Sequence, residues 1–259
     1  MPKLLWFVMR RLKKLRRKRS KTLSSWQTVA SRGLFFLLLV VFLFINFAHS
    51  AETIWSGKNL KAVALTFDDG PHPEFTAKLL DILDRYQAKA TFFVIGRHVK
   101  SFPDLVFRMQ QAGHDIGNHS FRHERMNRMK LPEVIEEIQK TNFEIKNVTG
   151  REPLYFRAPG GQYSAGVYQA ALRSRMQVIN WSLNAGDYQN ELVYSGEKTP
   201  FNQSAQEILK HLSKTIKGGD IVLMHNGAPQ TLEALPQLIE MLKKKGLKLV
   251  TVTEILRTH

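Results

Sequence analysis

Ala62-Val63-Ala64-Leu65-Thr66-Phe67-Asp68-Asp69-Gly70-Pro71 is an apolar run that ends in two adjacent carboxylates at a glycine–proline turn. The run reads as a strand. Asp-Asp-Gly-Pro alone is an ordinary turn signature, because Asp caps turns while Gly and Pro fix their dihedrals. Further along, His119-Ser120-Phe121-Arg122-His123 sets two imidazoles at i and i+4, which a helical turn would aim at one spot. One carboxylate and two neutral imidazoles form a typical zinc ligand set with a coordination position left open for water. The second carboxylate is then free to act as a base on that water. These residue types point to metal-dependent hydrolysis.

Outward from these strings, three further polar islands follow, each at the end of an apolar run: Arg157-Ala158-Pro159-Gly160-Gly161, Asp187-Tyr188 and Leu223-Met224-His225-Asn226-Gly227. The remaining pattern alternates short apolar runs with amphipathic stretches, as in a parallel α/β fold. Strands are predicted over Ala62–Phe67, Ala90–Ile95, Asp115–Gly117, Leu154–Arg157, Gln177–Leu183, Asp220–Met224 and Lys248–Val252. Helices are predicted over Phe75–Tyr86, Pro103–Gln111, Pro132–Val148, Val167–Ser174, Ala205–Ile216 and Leu232–Lys245. Gly113, Gly150 and Gly246 each follow a helix, where a left-handed cap favours glycine. Asp68, His119, Arg157, Asp187 and His225 all fall at the C-terminal ends of predicted strands, the edge on which β/α barrels build their active sites.

The formal net charge is +16, but it is unevenly spread. Residues 1–32 hold eleven Lys or Arg and no acidic residue, so the rest of the chain is only mildly basic. That asymmetry argues against nucleic-acid binding. Residues 33–50 follow as a solid apolar block ending in Ala48-His49-Ser50, which reads as a signal peptide or a membrane anchor with the basic segment on the cytoplasmic side. Either route delivers the remainder outside the cytoplasm. Residues 51–60 read as a polar linker. The chain has no cysteine, so any metal must be held by His and carboxylate.

The ordered motifs resemble those of the polysaccharide deacetylases with a NodB-like domain, carbohydrate esterase family 4. Thr66–Pro71 and His119–His123 match the first two motifs intact. Arg157-Ala158-Pro159, Asp187 and Leu223-x-His225 represent the other three. The resemblance covers residues 61–256 and implies a distorted (β/α) barrel of about seven units rather than eight, behind an N-terminal signal or anchor helix. It implies one divalent metal ion, zinc by default, held by Asp69, His119 and His123. Asp68 would be the general base, kept ionised and oriented by Arg157. His225 would protonate the departing amine, with Asp187 raising its pKa. The backbone N–H of Gly160 matches the position that donates to the oxyanion, and Tyr188 and Leu223 would wall the acetyl pocket.

The expected activity is removal of N-acetyl groups from N-acetylhexosamine units of a cell-envelope polysaccharide, peptidoglycan first, chitin-type oligosaccharides second and acetylated xylan third. Two departures from the family pattern bear on specificity. Asn184 stands where an Asp is common, with Tyr188 in place of Trp, and Gly160 replaces a Tyr that often follows the proline. Rival readings are a catalytically silent glycan-binding barrel and a basic adaptor on the membrane surface. The first is disfavoured because Asp68, Asp69, His119, His123 and His225 are all present; the second leaves five ordered islands unexplained.

Overall fold

The computed structural model describes residues 53–187 and 203–257. The basic segment, the apolar block and Tyr188 lie outside the described residues. Among the described residues no helix is long and apolar enough to cross a membrane.

Strand β1 (Ala62–Gly70) is the centre of the sheet. Its period-2 alternation divides its side chains between two environments. Val63, Leu65 and Phe67 pack in the core beneath the helices, with Leu79, Leu83, Leu235 and Leu238. Ala62 and Ala64 pack instead with Phe93, Tyr155, Ile179 and Ile221 inside the curl of the sheet. Thr66 and Asp68 continue that inward row, so the interior passes from apolar at the start of β1 to charged at its end.

The chain alternates strands and helices: β1, α1 (Thr76–Arg85), β2 (Thr91–Val94), α2 (Gly96–Ser101), α3 (Pro103–Gln111), β3 (Asp115–Asn118), α4 (Leu131–Thr149), β4 (Tyr155–Phe156), α5 (Ala165–Arg173), β5 (Gln177–Val178), β6 (Leu183–Asn184), α6 (Ala205–Thr215), β7 (Ile221–His225), α7 (Pro229–Lys244), β8 (Lys248–Leu249) and α8 (Val252–Leu256). All strand pairings are parallel, in the order β5-β4-β3-β2-β1-β7-β6, with β8 beside the start of β1. This is the distorted barrel that the sequence resemblance implies. Gly113, Gly150 and Gly246 adopt φ of 77°, 71° and 73° as expected of helix caps.

The expected single strand Gln177–Leu183 is split. β5 pairs with β4, whereas β6 pairs with β7 at the opposite edge, so residues 179–182 carry the chain across the barrel. Neither edge finds the other, and the seam is filled by the segment before β1. Ile54 bridges Ile179, and Ser56 bridges Asp220. Part of the stretch read as a linker is therefore hydrogen-bonded into the sheet. Helix α2 was not foreseen, being too short to show a period. The run Lys248–Val252 is a strand only over its first two residues, because Thr251 caps α8 in a reciprocal capping box with Glu254.

Candidate active site

In a regular strand, Asp68 and Asp69 would point to opposite faces. They do not diverge here. The register of β1 with β2 slips between Phe67 and Gly70, and Asp69 sits at φ 73°. This bulge re-aims one carboxylate, as β-bulges beside active sites do. Both aspartates thus converge on one imidazole: Asp68 Oδ2 lies 3.6 Å and Asp69 Oδ1 3.5 Å from His119 Nε2.

His119 and His123 are not on a helical turn, a correction to the sequence reading. They flank an irregular loop after β3, with Ser120 at φ 68° and His123 at φ 62°. The loop is held by polar side chains instead of a helical ladder. Asn118 Oδ1 accepts from Ser120 N–H, and Ser120 Oγ from His123 N–H. Glu137, buried on α4, accepts from the N–H groups of Phe121 and Arg122 at 3.0 and 2.8 Å. The two rings still meet, with centroids 5.0 Å apart.

Asp69, His119 and His123 each bring a ligand atom to a common spot, all within 4.8 Å of one another. Asp69 Oδ1 is 3.0 Å from His123 Nε2, yet this buried oxygen makes no hydrogen bond. An oxygen and two nitrogens gathered without hydrogen-bond alignment suit shared coordination of a cation. The Nδ1–H of His119 donates to the Arg157 carbonyl at 2.8 Å, which turns its Nε2 lone pair toward that spot. Electrostatics agree. Burial opposes charge on Asp69 and on His119, but the imidazoles hold the Asp69 carboxyl well below its usual range. Asp68 and Asp69 in turn raise His119. A cation in the same place satisfies that field while the imidazoles stay neutral. The residues fit a divalent ion.

Arg157 is fully buried, not a surface ion-pair partner. Its Nη1 donates to Asp68 Oδ1 at 2.7 Å and to Thr66 Oγ1 at 2.8 Å. Its Nε and Nη2 donate to the carbonyls of Ile179 and Asn180 at 3.2 and 3.0 Å. The guanidinium also lies over the Phe93 ring, 4.0 Å from its centroid. One oxygen of Asp68 is thereby fixed, and the other faces the His119–Asp69 cluster.

Across the site, Asp187 Oδ2 accepts the His225 backbone N–H at 2.8 Å, and Asp187 Oδ1 lies 2.9 Å from His225 Nδ1. Thr231 Oγ1 donates to the same carboxylate. Burial alone would lower the His225 pKa; Asp187 foremost, then Asp69 and Asp68, raise it to about 9. Gly160 adopts φ 63° in a short 3₁₀ turn after β4. Leu223 is buried on β7 opposite Thr66. Asp68, Asp69, His119, His123 and Arg157 are thus joined by short contacts into one charged network, and the Asp187–His225 pair feels its carboxylates electrostatically.

Most of the residues that hold this network lie outside the five motifs. Glu137 was readable, since a carboxylate interrupts the apolar stripe of Val134, Ile138 and Ile145. Asn118, Ser120 and Thr231 carry no such signal. Nor does His98, whose Nδ1 lies 3.2 Å from the Asp69 carbonyl. The stretch around it ties both ligand loops together: Ile95 N–H donates to Gly70, Gly96 N–H to Ser120 and Arg97 N–H to Phe121.

Residues 56–179 match the sequence model of the polysaccharide deacetylases. A peptidoglycan-N-acetylglucosamine deacetylase of Bacillus cereus is 38% identical over 204 residues, 77% of this chain and 90% of that protein. The peptidoglycan-N-acetylmuramic acid deacetylase PdaA of Bacillus subtilis is 33% identical, over 76% of this chain and 72% of that protein. A crystal structure of a peptidoglycan N-acetylglucosamine deacetylase, in complex with a hydroxamate-type benzamide, superposes with a TM-score of 0.72 at 31% identity, covering 80% of this chain and 94% of that one. The ordered motifs, the curled parallel sheet and these likenesses lead to one conclusion: the chain belongs to the polysaccharide deacetylase family of hydrolases.

Proposed function

We propose that this chain removes N-acetyl groups from the N-acetylhexosamine units of peptidoglycan, with zinc held by Asp69, His119 and His123. The observation that carries this reading is the division of Asp68. Arg157 clamps one of its oxygens, while the other faces the cluster where the ion would sit. When bound, the ion polarises the acetyl carbonyl and acidifies water.

The residues of the chain do the rest. Asp68, oriented by Arg157, takes a proton from the attacking water. The Gly160 N–H donates to the oxygen that becomes negative as the carbonyl carbon turns tetrahedral. His225, kept protonated by Asp187, gives its proton to the leaving nitrogen, since an unprotonated amine departs poorly. Leu223 walls the acetyl methyl. The products are acetate and a free amino sugar. Residues 1–50 carry the domain to the outer face of the cell membrane, as an anchor or as a removed signal.

Acetate release from a panel of peptidoglycan, chitooligosaccharide and acetylated xylan tests the assignment. Release from peptidoglycan above the other two is expected, and its loss on chelation with recovery in zinc. Activity confined to xylan, or indifferent to chelation, would overturn it.

A further inference from the structure

Because all strands are parallel, every loop that enters a strand lies at the end of the barrel opposite the catalytic cluster. That end is basic. Exposed lysines stand in or beside the loops entering β1 (Lys58, Lys61), β2 (Lys89), β7 (Lys217) and β8 (Lys245, Lys248). Asp84 is exposed beside Lys89, but other carboxylates near them are engaged. Asp220 is buried against Ser182 and the Lys217 N–H. Asp115 accepts from Thr253 N–H, and Glu254 from Thr251 N–H. Glu152, the exposed acid before β4, is paired with Lys146 at 2.9 Å.

The same end also exposes large apolar side chains. Leu60 is 73% and Leu154 59% accessible, at the entrances of β1 and β4. Lysines interspersed with protruding leucines suit a surface that is anionic outside and apolar beneath. A soluble polyanion would use the lysines and leave the leucines in water.

We propose that this face docks on an anionic phospholipid bilayer, with the lysines on headgroups and Leu60 and Leu154 at the acyl boundary. The occupant follows from the charge and from the leucines. Docked this way, the catalytic end of the domain faces away from the lipid. The proposal is independent of the substrate assignment.

Hydrogen–deuterium exchange of the full chain in phosphatidylglycerol and phosphatidylcholine bilayers tests it. Amides of residues 57–61 and 216–219 should exchange at least about threefold more slowly in phosphatidylglycerol than in phosphatidylcholine, since each lysine near an anionic surface favours partition by about fivefold. Amides of residues 122–129, at the catalytic end, should not change. Combining Lys58→Gln, Lys61→Gln, Lys217→Gln and Lys248→Gln should erase the protection without moving the melting temperature. Equal exchange in the two lipids, or protection retained by that variant, would overturn the proposal. So would equal protection by soluble polyphosphate, which would make the face a reader of phosphate polymers.

Discussion

Asp68 and His225 are register partners on adjacent parallel strands, β1 and β7, and the N–H of Asn226 closes the ladder onto the Asp68 carbonyl at 2.8 Å. The proposed base and acid are therefore spaced by the sheet itself. No loop lies between them, and backbone hydrogen bonds fix the gap that a scissile amide must enter.

The two aspartates should separate by readout. Asp69→Asn should lower metal occupancy, measured by elemental analysis after dialysis. Asp68→Asn should leave the metal bound and cut kcat by about 10² to 10⁴. Equal loss of metal from both variants would reverse the assignment.

The Asp187–His225 pair predicts a pH dependence. His225 is raised from 6.5 to about 9, so activity should fall on the alkaline side as the imidazolium deprotonates. A bound cation offsets the pull of Asp69, leaving Asp187 to hold the limb above its ordinary position. Asp187→Asn should move it to lower pH, and an unmoved limb would refute the coupling. The sign for stability is the same: the pair's contribution is complete below about pH 6.5 and is lost as pH rises through about 9. Urea titrations across that window check it.

His98 should matter to the metal without touching it. Its ring secures the carbonyl of Asp69, a residue held at positive φ. His98→Leu should weaken zinc affinity about tenfold, the effect of losing an outer partner of a ligand. His98→Asn, whose amide nitrogen can reach the same carbonyl, should restore most of it. Calorimetric zinc titration reads both variants.

Arg157→Met should destabilise the domain by about 3–5 kcal/mol, because it leaves the buried Asp68 carboxylate unpaired. Adding Asp68→Asn should recover part of that loss, as a double-mutant cycle in urea would show. Additive losses would mean that the two residues stabilise the fold separately.

Much of this was legible in the chain. The row Ala62, Ala64, Thr66, Asp68 is a local alternation, and strand ends mark where a barrel places its chemistry, so the catalytic edge could be read directly. What escaped depends on contacts distant in sequence. The bulge at Asp69 is set by pairing with β2 and by His98, neither of which a glycine–proline turn announces. The loop from His119 to His123 takes its shape from Glu137 on a later helix. The run from Gln177 to Leu183 looks like one strand because Val178, Ile179, Trp181 and Leu183 keep it largely apolar without a turn residue such as Gly or Pro; its division is imposed by β4 and β7, which claim its two ends.

The grip of Arg157 on the carbonyls of Ile179 and Asn180 couples two events that an enzyme need not couple. The segment it grips is the one that crosses the barrel, and the same guanidinium orients Asp68. A molecule whose crossing segment has come loose is also a molecule whose base has lost its anchor. Partly opened forms should therefore be silent rather than sluggish. Turnover per bound metal ion becomes a gauge of how many molecules are fully closed, well before any spectroscopic sign of melting.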